Sequence, residues 1–286
     1  MKGQHQPIAP GLYLVATPIG AARDITLRAL DIFAAADILV AEDTRTLRHL
    51  LDIHGVAIGD RPLWAYHDHN GERARPKILA ALKAGKSIAY ASEAGTPLVA
   101  DPGYQLGRAA IEAGHNVMSA PGASAVLTAL CVSGLPSDRF LFAGFAPAAA
   151  SARARWLKEL TAIPATLVLY ESPRRLRALL RTLEDDCGPD RQAVICRELT
   201  KKFEEVTRGT LAELRAAHEG RTVKGEIVVL LDRARAAAPN TDVVEDALRE
   251  ALVNMSIKDS AAMVAEALGL PRRRVYQIAL GLAVDK

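Results

Sequence analysis

The chain has 286 residues, 50% of them hydrophobic and 24% charged, and a formal net charge of +3. This composition supports a packed core of one large or two medium domains, and the charge is too weak to indicate a nucleic-acid partner by itself. No apolar stretch reaches the roughly 20 residues of a bilayer-spanning helix, and residues 1–10 lack the apolar segment of a signal peptide, so we expect a cytoplasmic protein without a membrane partner. The three cysteines are widely spaced and form no CxxC pair, which disfavours a disulfide framework and a zinc site.

The first half of the chain alternates short apolar runs with longer amphipathic segments. After a flexible tail at 1–10, this pattern predicts an α/β domain over 11–134 with a mainly parallel sheet covered by helices. The predicted strands are 12–16, 38–41, 63–66, 87–91 and 116–119. The predicted helices are 26–35, 44–53, 72–84 and 104–113, and a further helix follows Pro121 and Gly122.

A turn-rich break at 134–138 predicts a second α/β domain over 135–232. Its predicted strands are 139–144, 165–170, 192–196, 203–208 and 226–231, and its predicted helices are 152–160, 173–184 and 211–218. Close spacing between 196 and 210 indicates an antiparallel hairpin, so we expect a mixed sheet.

The last segment, 233–286, is predicted to be a linker followed by a helical extension. Asp242 with Glu245 and Ser256 with Asp259 have the spacing of capping boxes, and Gly269 ends one helix before Pro271 begins the next. Three arginines begin the last helix of this helix-turn-helix pattern: Arg272, Arg273 and Arg274. An RNA contact and a solvated basic turn explain them about equally well.

Three loops of small and kinked residues follow predicted strands, at 17–20, 92–103 and 121–125. Because ligands of open α/β sheets bind outside the carboxyl ends of the strands, these loops predict one binding crevice. The chain has neither GxGxxG after its first strand nor GxxxxGK[ST], which disfavours a nicotinamide cofactor and a P-loop nucleotide.

Nine motifs, in order, resemble the tetrapyrrole-methylase superfamily of S-adenosylmethionine-dependent enzymes. They are LYLVATPIG, AEDTR, HDHN, SEAGTPLVADPGY, PGASA, GLPSDRF, YESPRR, RELTK and KGEIVVL, and the resemblance covers 11–283. It is strongest to the branch that methylates a cytidine 2′-hydroxyl in 16S ribosomal RNA. The resemblance implies two α/β domains with a cofactor cleft between them, S-adenosylmethionine as the cofactor, 16S rRNA or the small ribosomal subunit as the partner, a homodimer, and no metal.

The resemblance also implies site residues. The cofactor would contact Pro18, Ser92, Ala94, Gly95, Thr96, Ser124, Ala125 and Tyr170, and Glu171 would line the same cleft. The catalytic candidates are Glu171 or Glu198, with Arg197 as a partner, and the alternative is a structural salt-bridge network of these three. The RNA would contact Arg45, His67, Asn70 and Lys201 as well as the three arginines of the last helix. Glu42, Asp43 and Arg45 hold RNA, brace the loops or form an internal ion pair. His67 and His69 form an incomplete zinc site.

Four positions depart from the family pattern, namely Ala21, Glu93, Ala123 and Arg174, so side-chain contacts are not carried over to them. Two other functions stay open. The chain could be a tetrapyrrole C-methyltransferase of the same superfamily, or a non-catalytic RNA-binding protein that retains the crevice as structure.

Overall fold

A computed structural model describes residues 7–67, 69–100, 103–234 and 241–284. The chain divides into two compact units, Met1–Arg233 and Ala234–Lys286. Among the described residues, no helix is long and apolar enough to cross a membrane.

The first unit contains a five-stranded parallel sheet in the order β3-β2-β4-β1-β5. Its strands are β1 Gly11–Val15, β2 Ile38–Ala41, β3 Leu63–Ala65, β4 Ser87–Ala91 and β5 Val117–Ala120. Its helices are α1 Leu27–Ala35, α2 Thr44–Ile53, α3 Gly71–Lys83, α4 Tyr104–Glu112 and α5 Ala125–Ser133. The strands β2 and β4 are buried along their whole length, as expected for inner strands of a sheet with helices on both faces.

Local sequence signals explain where several of these helices begin and end. The Thr26 hydroxyl accepts a hydrogen bond from the Ala29 amide at the start of α1, and the Asp43 carboxylate accepts one from the Arg45 amide at the start of α2. Gly55 and Gly85 adopt left-handed backbone angles after α2 and α3, which ends each helix. The predicted elements of this half are therefore confirmed, with shifts of one residue at several ends.

A second five-stranded sheet in the same unit has the order β6-β7-β10-β8-β9. Its strands are β6 Phe140–Phe145, β7 Thr166–Glu171, β8 Gln192–Arg197, β9 Glu205–Thr210 and β10 Ile227–Leu231, and its helices are α6 Ala150–Thr161, α7 Leu176–Cys187 and α8 Leu211–Ala217. The pair β6 and β7 is parallel and the others are antiparallel, which confirms the mixed sheet and the hairpin.

The two faces of the second sheet have separate cores. Leu157, Leu179 and Leu211, from α6, α7 and α8, cover one face. Val126 and Leu130 of α5 pack against the other face, although α5 follows the last strand of the first sheet. This packing joins the two sheets into one compact unit, within which the predicted boundary at 134 separates the sheets.

The second unit is a bundle of three helices, α9 Thr241–Ala251, α10 Ile257–Leu268 and α11 Arg272–Val284. Ser256 caps α10 by accepting a hydrogen bond from the Asp259 amide, and Gly269 ends that helix with φ of 63°. The capping box predicted at Asp242 is wrong, because α9 already includes Thr241 and Asp242 lies in its first turn. A carboxylate there still interacts favourably with the helix dipole.

Two predicted segments lie partly outside the described residues. Positions 1–6 of the predicted tail and 235–238 of the predicted linker are not described. Of the remaining tail, Ile8 packs against the core of the first sheet and the Ala9 carbonyl accepts a hydrogen bond from the Tyr13 hydroxyl. The strand predicted at 203–208 begins later, at Glu205, because turns occupy the preceding residues.

Candidate active site

The three loops predicted to form a crevice are joined by hydrogen bonds. Thr17 and Gly95 form a two-way backbone bridge, with both N···O distances 3.0 Å. The Thr96 hydroxyl donates to the Ala123 carbonyl at 3.0 Å. The loop after β4 is therefore fixed to the loops after β1 and β5, which brings the carboxyl ends of three strands into one site.

The loop after β4 has an unusual backbone. Gly95 has φ of 81°, and a Cβ atom there would lie 3.2 Å from the Ile19 Cγ2 atom. Leu98 and Ala100 have φ of 71° and 62°, angles that cost non-glycine residues about 1–2 kcal/mol each. Such conformations persist where the surrounding structure enforces them, and they concentrate at ligand sites.

A cavity of about 700 Å³ lies beside these loops and is lined by residues of both sheets. Most of the predicted cofactor residues line it: Pro18, Ala94, Gly95, Thr96, Ser124, Ala125 and Tyr170. Ser92 is not part of the lining. It is buried, and its hydroxyl donates to the Gly95 carbonyl at 3.1 Å, so it supports the loop from beneath.

Glu171, at the end of β7, is the most deeply buried acidic residue of the cavity wall, with 1% of its side chain exposed. Its Oε1 atom accepts hydrogen bonds from the Ser172 amide at 2.7 Å and lies 2.7 Å from the Arg175 Nη2 atom. Its Oε2 atom is buried and has no hydrogen-bond partner among the described residues. Because an unsatisfied buried carboxylate oxygen is costly, this atom is an acceptor for a hydrogen-bond donor that enters the cavity, either water or a ligand.

Lys201 lines the same cavity and is held by two carboxylates. Its Nζ atom lies 3.0 Å from Glu198 Oε1 and 2.9 Å from Glu226 Oε2. The backbone amide of Glu226 and then the Lys201 ammonium hold the pKa of Glu198 below its usual range. Burial lowers the pKa of Lys201, but the two carboxylates outweigh it and the net shift is upward. Lys201 is therefore a positioned cation at neutral pH.

The loop that carries Lys201 also contacts the first loop. The Thr200 hydroxyl accepts a hydrogen bond from the Ala21 amide at 3.1 Å. Glu198 and Thr200 both have positive φ, at 50° and 64°. Glu198 itself is not among the cavity-lining residues, so its carboxylate acts through Lys201.

Arg197 belongs to a separate ion-pair group on β8 and β9. Its Nε atom lies 3.0 Å from Glu205 Oε2, and Arg221 binds the same carboxylate at 2.7 Å. Arg221 and then Arg197 lower the pKa of Glu205 to about 2. Arg197 does not line the cavity. The salt-bridge network predicted among Glu171, Arg197 and Glu198 is wrong, because these residues pair with Arg175, Glu205 and Lys201, respectively.

The other predicted RNA residues lie outside the cavity lining. Arg45 is exposed and forms an ion pair with Asp43 at 2.8 Å, which lowers the pKa of Asp43 to about 2. The Asn70 side chain accepts from the His67 amide and donates to the Ala65 carbonyl, so it braces its own loop. Asp68, in the same motif, lies outside the described residues, and within the described ones no group of histidines, cysteines and acids could hold a metal.

The three arginines of the last helix occupy the first turn of α11 in the second unit. Two of them line a groove of that unit. The groove contains Thr241, Pro271, Arg273, Arg274, Gln277 and Ile278.

Several cavity residues were missed by sequence reasoning. Phe145 and the β10 residues Ile227 and Val228 line the cavity. Glu42, which was predicted to hold RNA or brace the loops, and Glu93 also line it. The Glu42 carboxylate accepts a hydrogen bond from the Glu93 amide at 3.2 Å. At Ala21, Glu93 and Ala123, the contacts that join the loops use backbone atoms, so a changed side chain leaves them intact.

Comparison with known proteins places this chain in a family. The family model of the Tetrapyrrole (Corrin/Porphyrin) Methylases matches residues 11–215, and the model of the RsmI C-terminal HTH domain matches residues 237–283. Proteins named "Ribosomal RNA small subunit methyltransferase I" are similar over nearly the whole chain. The one from Mesorhizobium japonicum is 48% identical and covers 99% of this chain and 97% of its own. The one from Escherichia coli O157:H7 is 41% identical and covers 94% of both.

Solved structures confirm the fold. Uroporphyrin-III-C-methyltransferase from Thermus thermophilus has a TM-score of 0.56 at 21% identity and covers 77% of this chain and 94% of its own. A structure of the Thermus enzyme complexed with S-adenosyl homocysteine has a TM-score of 0.55 at 18% identity, and covers 78% of this chain and 97% of its own.

Proposed function

The chain belongs to the tetrapyrrole methylase family, and from that premise we propose that it transfers a methyl group from S-adenosylmethionine to a cytidine 2′-hydroxyl of 16S rRNA. The name that its relatives share supports small-subunit rRNA as the substrate. The resemblance of the sequence motifs supports the cytidine 2′-oxygen as the atom that is methylated. The observation that carries the proposal is the cavity, where small-residue loops of one sheet face a buried carboxylate oxygen of the other.

The residues present fit S-adenosylmethionine. Pro18, Ala94, Gly95 and Ala125 have short side chains and allow the backbone to approach a ligand closely. The Glu171 Oε2 atom is left for a hydroxyl of the substrate rather than for the cofactor. When bound, the cofactor supplies a methyl carbon on a good leaving group, so the protein must chiefly position the hydroxyl and accept its proton.

We assign the proton to Glu171. As the ribose oxygen gains the methyl group that the bound cofactor would supply, the hydroxyl proton would pass to the free carboxylate oxygen of Glu171. Lys201 is a cation at neutral pH and cannot take that proton, so it serves an anionic group of the substrate. Glu198 is its positioning residue. Arg45, His67, Asn70 and the arginines at 272–274 remain proposed RNA contacts.

Two measurements test this function. Saturating S-adenosylmethionine should raise the melting temperature, because a ligand that binds only the folded state stabilises it. Labelled methyl should then appear in small ribosomal subunits or their rRNA, on a nucleotide that resists alkaline cleavage at its 3′ side. Labelling of a tetrapyrrole instead would show that the chain is a tetrapyrrole C-methyltransferase. Binding of RNA without any methyl transfer would support the non-catalytic alternative.

We further propose that the enzyme works in the cytoplasm as a homodimer. Light scattering of the purified chain at micromolar concentration tests the dimer, and a mass near the monomer's would exclude it.

A further inference from the structure

The edge strand β6 changes the face on which its side chains lie. Leu141 and Ala143 pack on the face of the sheet that α6 and α7 cover, whereas Phe142 packs on the face that α5 covers. Strict alternation along the strand would place Phe145 with Leu141 and Ala143. The ring would then point away from the cavity.

A bulge reverses this direction. Phe142 is opposite Val168, but Gly144 is opposite Leu169, so Ala143 is an extra residue in β6. Gly144 has φ of 71°, which suits glycine at such an irregularity. Phe145 is therefore placed on the same face as Phe142.

The aromatic contacts confirm the changed direction. The ring centroids of Phe142 and Tyr170 are 4.8 Å apart, and those of Phe145 and Tyr170 are 5.5 Å apart, both edge to face. Phe145 and Tyr170 line the cavity together, yet 56% of Phe145 remains exposed. Ligand pockets are lined mainly by hydrophobic and aromatic side chains, so an exposed ring at this cavity wall suits a ligand contact.

We propose that Phe145, supported by Tyr170, stacks on the base of the nucleotide that is methylated. This inference rests on the proposed function. The small-residue loops of the first sheet provide the close backbone approach for the cofactor, whereas Phe145 ends an edge strand and stays open to solvent, where the RNA arrives. Single-stranded bases are commonly held by stacking on aromatic side chains, which suits a base attached to the reacting ribose.

The test compares Phe145→Leu with Phe145→Trp. Loss of a stacking ring is worth about 1–3 kcal/mol per base, so Phe145→Leu should lower kcat/KM for small ribosomal subunits about 5- to 150-fold. Phe145→Trp should stay within about threefold of the wild type, because the aromatic face is retained. Calorimetric affinity for S-adenosylmethionine should be the same for all three proteins. Phe140→Leu, on the same strand but outside the cavity lining and 43% exposed, is the matched control.

Three outcomes would overturn the proposal. Wild-type kinetics of Phe145→Leu would show that the ring contacts no substrate. A parallel loss of cofactor affinity would assign the ring to the cofactor. Equal loss in Phe145→Trp and Phe145→Leu would show that shape, not stacking, matters at this position. Because cofactor binding and residual methyl transfer are measured in the same proteins, failure of this proposal is distinguishable from failure of the proposed function.

Discussion

Replacing Glu171 with glutamine separates its structural role from its proposed role as proton acceptor. The amide oxygen can keep the hydrogen bonds from Ser172 and Arg175 that Oε1 now accepts, so the main loss is the negative charge of the ion pair. The Arg175 side chain is 30% exposed and also donates to the Ala146 carbonyl at 3.0 Å. We therefore expect a destabilisation of about 1–2 kcal/mol, less than the roughly 3–5 kcal/mol for a fully buried pair.

Catalysis should suffer much more than stability in the Glu171→Gln protein. The amide nitrogen would stand where the free Oε2 atom now lies and could not accept a proton, which should lower kcat about 10²- to 10⁴-fold. Single-turnover methyl transfer measures the chemical step, and calorimetry measures cofactor affinity, which should change less than about threefold. Glu112→Gln, on the exposed surface of α4, is the control. A kcat within about fivefold of wild type would refute the proton-acceptor assignment.

The remaining predictions concern the surrounding groups. Gly225→Ala should destabilise the fold in denaturant titrations and weaken methyl transfer, because φ is +93° and a Cβ atom would lie 2.5 Å from the Glu198 side chain. Since Arg221 lowers the pKa of Glu205 from 4.5 to about 2, that carboxylate stabilises the fold above about pH 4.5, and the contribution disappears as pH falls toward 2. Between about pH 4.5 and 2, the free energy of unfolding of the Glu205→Gln protein should therefore fall less than that of the wild type in acid titrations. The binding constant for RNA should fall as salt rises, because each phosphate contact releases counterions. If all three arginines at 272–274 contact phosphate, replacing them with glutamine should make the plot of log binding constant against log salt less steep by about 2–3.

Matched controls sharpen two of these tests. Gly55 also has a positive φ, of 68°, but a Cβ atom there would have no heavy atom within 4 Å, so Gly55→Ala measures the backbone cost alone. Equal destabilisation at positions 55 and 225 would show that the Glu198 contact has no effect. An unchanged salt dependence of RNA binding would show that the arginines at 272–274 are solvated and do not contact RNA.

Local signals were strong enough to predict most of the fold. Helix α2 has the predicted bounds because Asp43 caps its start and Gly55 follows its end. Sheet order could not be read in the same way, since β1 lies between β4 and β5, strands that follow it by some 70–100 residues. Pairings over such separations depend on the packing of the whole unit rather than on local propensity.

The same limit applies to the site. The loop motifs predicted most of the first-sheet lining because small residues after strands are visible in sequence. Nothing local distinguishes Ser92, whose hydroxyl is used within its own loop, from a residue that faces a ligand. Phe145 was missed because the face on which its side chain lies depends on one extra residue in β6. Regular alternation of side chains along the strand would place it on the opposite face.

The charge around the cavity is opposite in sign to that of the chain. The described lining contains four glutamates and one lysine, whereas the whole chain has a net charge of +3. An acidic cavity favours a ligand with a positive sulfonium, and the same field disfavours entry of a phosphate. In the proposed function, the ribose enters the cavity while its phosphates lie toward basic residues, either the exposed Arg45 or Lys201 at the cavity wall. In this arrangement a neutral aromatic ring such as Phe145 can hold the base at the cavity without adding charge of either sign.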